Sequence, residues 1–264
     1  MYYFDNNVKV FYDSIGEGRP LLIIHGFAID HRAVKGTVEE SIKYKNYKRI
    51  YIDLPGMGNS PAPDKMIDAD ELLSILLKLI DKIIGTEPFS ILGYSYGGYL
   101  ALGLVKFIPE QVEKLILLAP VVKANAKQRN LPEKTKISSE FFKVENKTLF
   151  TQYQASAANI TEQGYKNFLK EIYPGLIIGD HNFQKIFQEV GYAFKFEKSL
   201  FAEPIICDSL IILAEQDDVV GFQDTLDHEK DFYNGSFVLI KNAGHNMQLD
   251  QRESVRTEIY NFLS

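Results

Sequence analysis

Residues 89–92, Phe-Ser-Ile-Leu, run into Gly93-Tyr94-Ser95-Tyr96-Gly97-Gly98, and residues 99–107 follow with helical character up to Pro109. The opening stretch is short and mostly apolar, as in a strand buried on both faces. A strand, a G-x-S-x-G turn and a helix in that order form the context that a nucleophile elbow requires. The turn is tight, so the residues two before and two after the serine must be small for strand and helix to approach. Ser95 is thereby expected in a strained backbone conformation that lifts its hydroxyl above the sheet edge. The amide of Tyr96 opens the helix, where unpaired donors and the dipole favour developing negative charge.

The pattern repeats outward from the elbow. Residues 21–24 follow the turn Gly16-Glu17-Gly18-Arg19-Pro20 and end at His25-Gly26, and residues 49–52 end at Asp53-Leu54-Pro55-Gly56. Residues 115–118, 210–213 and 237–240 supply three more apolar strands. Residues 2–4 and 8–12 flank Asp5-Asn6-Asn7 as a hairpin. Leu72, Leu73, Leu76, Leu77, Ile80, Ile83 and Ile84 recur at helical spacing behind the capping pair Asp68 and Glu71, and residues 254–262 read as a closing helix. Strands alternating with helices predict an α/β fold with a mostly parallel sheet.

Residues 121–203 break this rhythm. They hold helical patches, no convincing buried strand, and 13 Phe and Tyr in 83 positions, a richer share than the 12% of the whole chain. The segment leaves from the carboxyl end of one strand, near Ala119-Pro120, and rejoins before the next. Ligands of open α/β sheets bind at that edge, so the segment reads as an inserted lid. The expected division is a core of residues 1–120 and 204–264 with a helical cap at 121–203.

Composition removes whole classes of function. Of 264 residues 45% are hydrophobic and 24% charged, enough apolar surface for a core and too much for a disordered chain. The net charge of −6 gives no global basic field for nucleic acid or an anionic membrane. One cysteine, Cys207, excludes an internal disulfide and a cysteine-based zinc cluster, and its position before an apolar run reads as a buried, inert thiol. The N-terminus lacks the basic and apolar regions of a signal peptide, and the most apolar helix is too short and too charged to span a bilayer. A cytoplasmic protein is expected.

A serine hydroxyl needs a base beside it. Among five histidines, His245 lies in Ala243-Gly244-His245-Asn246-Met247, directly after the last apolar strand, where the other strands also end. A carboxylate must then fix the imidazole tautomer. The strand at 210–213 ends at Ala214-Glu215-Gln216-Asp217-Asp218, and Asp217 is favoured over Glu215 and Asp218 because it falls where the loop returns over the sheet edge. A second oxyanion donor is the amide of Phe27, in His25-Gly26-Phe27. His25 reads as holding that loop in shape, and Asp53 as capping or orienting the 53–60 loop. His31 and Arg32 read as the polar start of a helix, Tyr94 as lining or underlying the site, and His181 and His228 as surface histidines.

Together, His25-Gly26-Phe27, the 53–60 loop, the elbow around Ser95, the Asp217 turn and Gly244-His245 resemble the α/β-hydrolase superfamily, in its capped subgroup of small serine hydrolases. The match runs over nearly all of the chain outside the insertion. The resemblance implies an eight-stranded, mostly parallel sheet with flanking helices and a helical cap between the sixth and seventh strands. It implies Ser95 as nucleophile, His245 as base, Asp217 as acid, and the amides of Phe27 and Tyr96 as the oxyanion hole. The acid turn departs from many relatives in beginning with Ala214 rather than glycine.

The expected activity is serine esterase chemistry on a small carboxylic ester or related acyl compound, with no cofactor or metal. Carbon–carbon bond hydrolases, thioesterases and acyltransferases use the same triad, and some proteins of the fold bind a small ligand without turnover. Residues 123–147 carry seven basic side chains (Lys123, Lys127, Arg129, Lys134, Lys136, Lys143 and Lys147) against Glu133, Glu140 and Glu145. In a chain of net −6 this surplus reads first as a solvated face and second as attraction of an anionic substrate.

Overall fold

The computed structural model describes residues 1–5, 8–133 and 135–264. Asn6 and Asn7 of the expected hairpin turn, and Lys134 of the basic run, lie outside the described residues. Eight strands build the main sheet: β1 (Tyr2–Asp5), β2 (Val8–Ile15), β3 (Arg19–Ile24), β4 (Tyr47–Ile52), β5 (Phe89–Tyr94), β6 (Val112–Leu118), β7 (Asp208–Ala214) and β8 (Gly235–Ile240). Their spatial order is β1-β2-β4-β3-β5-β6-β7-β8. The pairs β1/β2 and β2/β4 are antiparallel, and every pair from β4 to β8 is parallel.

The central strands are runs of Leu and Ile because both of their faces are covered by helices. Leu21, Leu22, Ile91, Leu115 and Ile211 have no exposed surface. Phe237, Val238 and Leu239 are less enclosed than their apolar sequence suggests, since β8 is the outer strand of the sheet. Helix α1 (Arg32–Ile42) packs on the last helix (Arg252–Phe262), while α3 (Tyr96–Phe107) lies against β5 and β6. Helix α2 (Ala69–Ile83) starts as the sequence predicts: the Asp68 carboxylate accepts from the Glu71 amide, and the Glu71 side chain accepts from the Asp68 amide. Among the described residues no helix is long and apolar enough to cross a membrane.

The connection from β6 to β7 carries α4 (Lys147–Ser156), α5 (Glu162–Asn167), α6 (Tyr173–Ile178) and α7 (His181–Ile186), with widened helical turns at Phe168–Ile172 and Phe187–Gly191. It also holds one short parallel pairing, Ser138–Ser139 with Asn159–Ile160. Its aromatic residues gather in several groups, with Phe194 and Phe196 stacked on each other beside Tyr99 and Phe107 of α3. Phe142, Phe150, Tyr153, Tyr165 and Phe168 pack on one another, whereas Phe187 and Tyr192 close around Phe27 and Tyr96 of the sheet edge. Arg252 of the last helix fastens the segment, bonding Glu171 at 2.9 Å and Glu40 of α1 at 2.8 Å.

Candidate active site

The site begins at the end of β5. Ser95 has φ 54° and ψ −116°, a left-handed conformation that β-carbon-bearing residues rarely adopt. Three backbone bonds hold it there: its amide donates to Leu118 O at 2.9 Å, and its carbonyl accepts from Gly98 N at 2.9 Å and Val121 N at 3.0 Å. Glycine is required on both sides of the turn. A Cβ on Gly97 would lie 2.2 Å from Ile24 O, and one on Gly93 would lie 2.5 Å from Gly97 O. Those oxygens are backbone and have no room to withdraw.

Four strand ends then converge. His245, on the loop after β8, has Nε2 2.9 Å from Ser95 Oγ and Nδ1 2.8 Å from Asp217 Oδ2. Asp217 stands on the loop after β7, and its other oxygen accepts from the amides of Val219 and Val220, both at 2.9 Å. Burial disfavours its charge, yet the His245 ring and these two amides prevail and hold its pKa below the ordinary value. An ionised Asp217 only accepts, so the proton between the two groups sits on His245 Nδ1 and Nε2 is free to accept from Ser95. Asp217, not Asp218, is thus the carboxylate joined to the imidazole. The amides of Phe27, after β3, and Tyr96, at the start of α3, have no bonded acceptor among the described residues.

Beside Ser95 and His245 lies a cavity of about 650 Å³, lined among others by Gly26, Phe27, Tyr94, Arg129, Tyr192 and Val220. Tyr94 stacks on the His245 ring at 5.3 Å and donates to Asn246 Oδ1 at 2.8 Å. Burial pushes its phenol up, which keeps that donor protonated. Asn246 in turn donates to Ser156 O of the β6–β7 connection at 2.7 Å. Asp250 accepts from the amides of Gly244, Ala158 and Asn159 at 2.8, 3.1 and 3.0 Å. Its burial, opposed by these amides, leaves its pKa above the ordinary value. Asn246 and Asp250 were not singled out by the sequence reading, although both belong to the run that begins at Gly244.

The remaining candidates fall outside the hydrogen-bonded chain. His25 is fully buried, bonds Gly26 O at 2.6 Å and accepts the Leu54 amide at 2.9 Å, so it ties two strand-end loops together in its neutral form. His31 is buried and bonds Asp53 Oδ1 at 2.7 Å. Asp53 also accepts from the amide and side chain of Asn59, at 2.8 and 3.0 Å. Asp30, His31 and Asp53 form a cluster of possible metal donors, but Arg32 already occupies Asp30, and His31 and Asn59 occupy Asp53. His181 is exposed, and His228 lies half-buried on Phe201. Cys207 is buried, and that burial raises its thiol pKa.

Asp53 gives a pH-dependent prediction. Burial opposes its charge, but His31 and the Asn59 amide bring its pKa from 3.8 down to about 2. A carboxylate with a lowered folded-state pKa contributes stability above its unfolded value and loses it as pH falls through the folded value. The contribution is about 2 kcal/mol. The stability gap between wild type and Asp53→Asn, read from urea unfolding, is therefore expected to narrow between pH 5 and pH 2. A gap that stays constant over this range would exclude the assignment.

A sequence model described as the alpha/beta hydrolase family matches residues 21–258. The AB hydrolase superfamily protein YisY of Bacillus subtilis is 24% identical over 98% of this chain and 96% of its own length. A pimeloyl-[acyl-carrier protein] methyl ester esterase of Nitrosospira multiformis is 30% identical, over 42% of this chain and 41% of its own. The crystal structure of an alpha/beta superfamily hydrolase from Oenococcus oeni superposes with a TM-score of 0.91 at 33% identity, covering 100% of this chain and 98% of that one. With this match, an eight-stranded, mostly parallel sheet and Ser95, Asp217 and His245 all within the matched span, the chain belongs to the alpha/beta hydrolase family.

Proposed function

We propose that the protein is a serine hydrolase that cleaves small carboxylic esters through an acyl-enzyme. The observation that carries this reading is the continuous chain of hydrogen bonds from Asp217 through His245 to Ser95 beside a cavity of about 650 Å³. His245 Nε2 takes the Ser95 proton as Oγ attacks the ester carbonyl. The amides of Phe27 and Tyr96 stabilise the oxyanion, a contribution that elsewhere amounts to roughly 10²–10³ in rate per donor. His245 then protonates the departing alcohol. It next takes a proton from water, which attacks the acyl group and frees Ser95. Asp217 holds the ring in the tautomer that leaves Nε2 open and stabilises the imidazolium. Residues 121–203 serve as a cap that encloses the acyl pocket, with residues 1–120 and 204–264 as the catalytic core.

Relatives named as ester hydrolases support the substrate class. The test is a fluorophosphonate that reacts with activated serines, followed by intact-mass measurement. One adduct is expected on the wild-type protein and none on Ser95→Ala. A folded wild-type protein that takes no adduct would overturn the reading in favour of a binding protein.

A further inference from the structure

Of the described basic side chains between Lys123 and Lys147, Arg129 alone lines the cavity beside Ser95. Its guanidinium is fixed by three backbone carbonyls. Nε donates to Lys123 O at 2.9 Å, Nη2 to Ala124 O at 3.2 Å, and Nη1 to Val219 O at 3.1 Å. These carbonyls belong to the loops leaving β6 and β7, so both walls of the site hold the cation in place. An arginine has five N–H donors; three are taken by these carbonyls, and the neighbouring Tyr192 hydroxyl draws on another. No described carboxylate forms an ion pair with it, whereas Lys123 nearby is neutralised by Asp224 at 2.7 Å. The charge reaches into the cavity: it draws the pKa of the Tyr192 phenol down against the larger upward push of burial. Glu189, the carboxylate on the lining, is exposed to solvent.

A half-buried cation with a donor to spare, no counterion among the described residues and a fixed orientation is a ready receptor for a planar anion, because its ordering is already met by the fold. We propose that Arg129 selects esters that carry a second, remote carboxylate. The proposal rests on the esterase reading above and adds to it the charge of the substrate.

Two matched pairs of esters test it. Monomethyl adipate is compared with methyl hexanoate, which places the carboxylate on the acyl side. The acetate ester of 4-hydroxybutyrate is compared with butyl acetate, which places it on the alcohol side. In at least one pair kcat/KM of the carboxylate member is expected to exceed that of its neutral partner about tenfold or more, mainly through KM. Arg129→Gln should bring that ratio to about one or below, and Arg129→Lys should retain part of it.

A clamp that serves structure alone would depress both members together and leave the ratio unchanged, which overturns the proposal. So does Ser95-dependent hydrolysis of the neutral esters with no preference in either pair, and the esterase reading then still stands. Failure to hydrolyse any ester removes both. Should Arg129→Gln not fold, the wild-type order of carboxylate, neutral and trimethylammonium-ended esters decides alone, and an equal or reversed order overturns the proposal.

Discussion

Ser95→Ala is expected to lower kcat for ester hydrolysis by on the order of 10⁵–10⁶, the scale found when the nucleophile of a serine hydrolase is removed. The fold should survive. The Ser95 side chain is bonded to His245, while the bonds that fix the turn are made by its backbone to Leu118, Gly98 and Val121. Alanine carries the same Cβ at φ 54° and meets the same backbone strain. Its melting temperature should therefore stay within a few degrees of wild type. Ser95→Gly should be equally inactive and melt higher than the alanine variant, because glycine relieves strain on the order of 1–3 kcal/mol. Turnover by a folded Ser95→Ala protein above about a hundredth of the wild-type rate would contradict the nucleophile assignment.

Asp217→Asn should lower kcat by about 10⁴ with little change in KM. The amides of Val219 and Val220 already occupy Oδ1, so asparagine would turn its oxygen toward them and its NH₂ toward His245. An NH₂ facing Nδ1 needs an acceptor there. The ring proton then moves to Nε2, and the imidazole can no longer take the proton of Ser95. Steady-state kinetics combined with the pH dependence of kcat would show this loss. Asp218→Asn is the control, and a comparable loss there instead of at Asp217 would reassign the acid.

The sequence discloses these features to different depths. The elbow was readable because steric demand dictates residue type: only glycine fits where a Cβ would meet Ile24 O at 2.2 Å. The central strands were readable because burial on both faces demands continuous Leu and Ile. The capping box of α2 follows from residue types three apart. By contrast, β8 has an apolar sequence but an edge position, a property of strand order that no local window contains. Position in the loop favoured Asp217 over Asp218, while the turn of its carboxylate toward His245 is set by the folded loop. Arg129 was visible only as one cation among seven, since its place on the cavity is set by carbonyls up to 90 residues away. The bridges from Asn246 and Asp250 to Ser156, Ala158 and Asn159 likewise span some 90 residues.

The Asp250 carboxylate has a consequence for anyone who would recombine this chain with a relative. It gathers amides from both Gly244, next to His245, and the Ala158-Asn159 pair, so a unit that could be exchanged does not end where the chain leaves and re-enters the sheet. A graft that imported foreign residues for 121–203 without matching backbone donors at 158 and 159 would leave a buried carboxylate short of partners, five positions from His245. Chimeras would have to be cut so that 156–159 and 244–250 travel together, and shuffled libraries that separate them should be poor in active members even when every parent is functional.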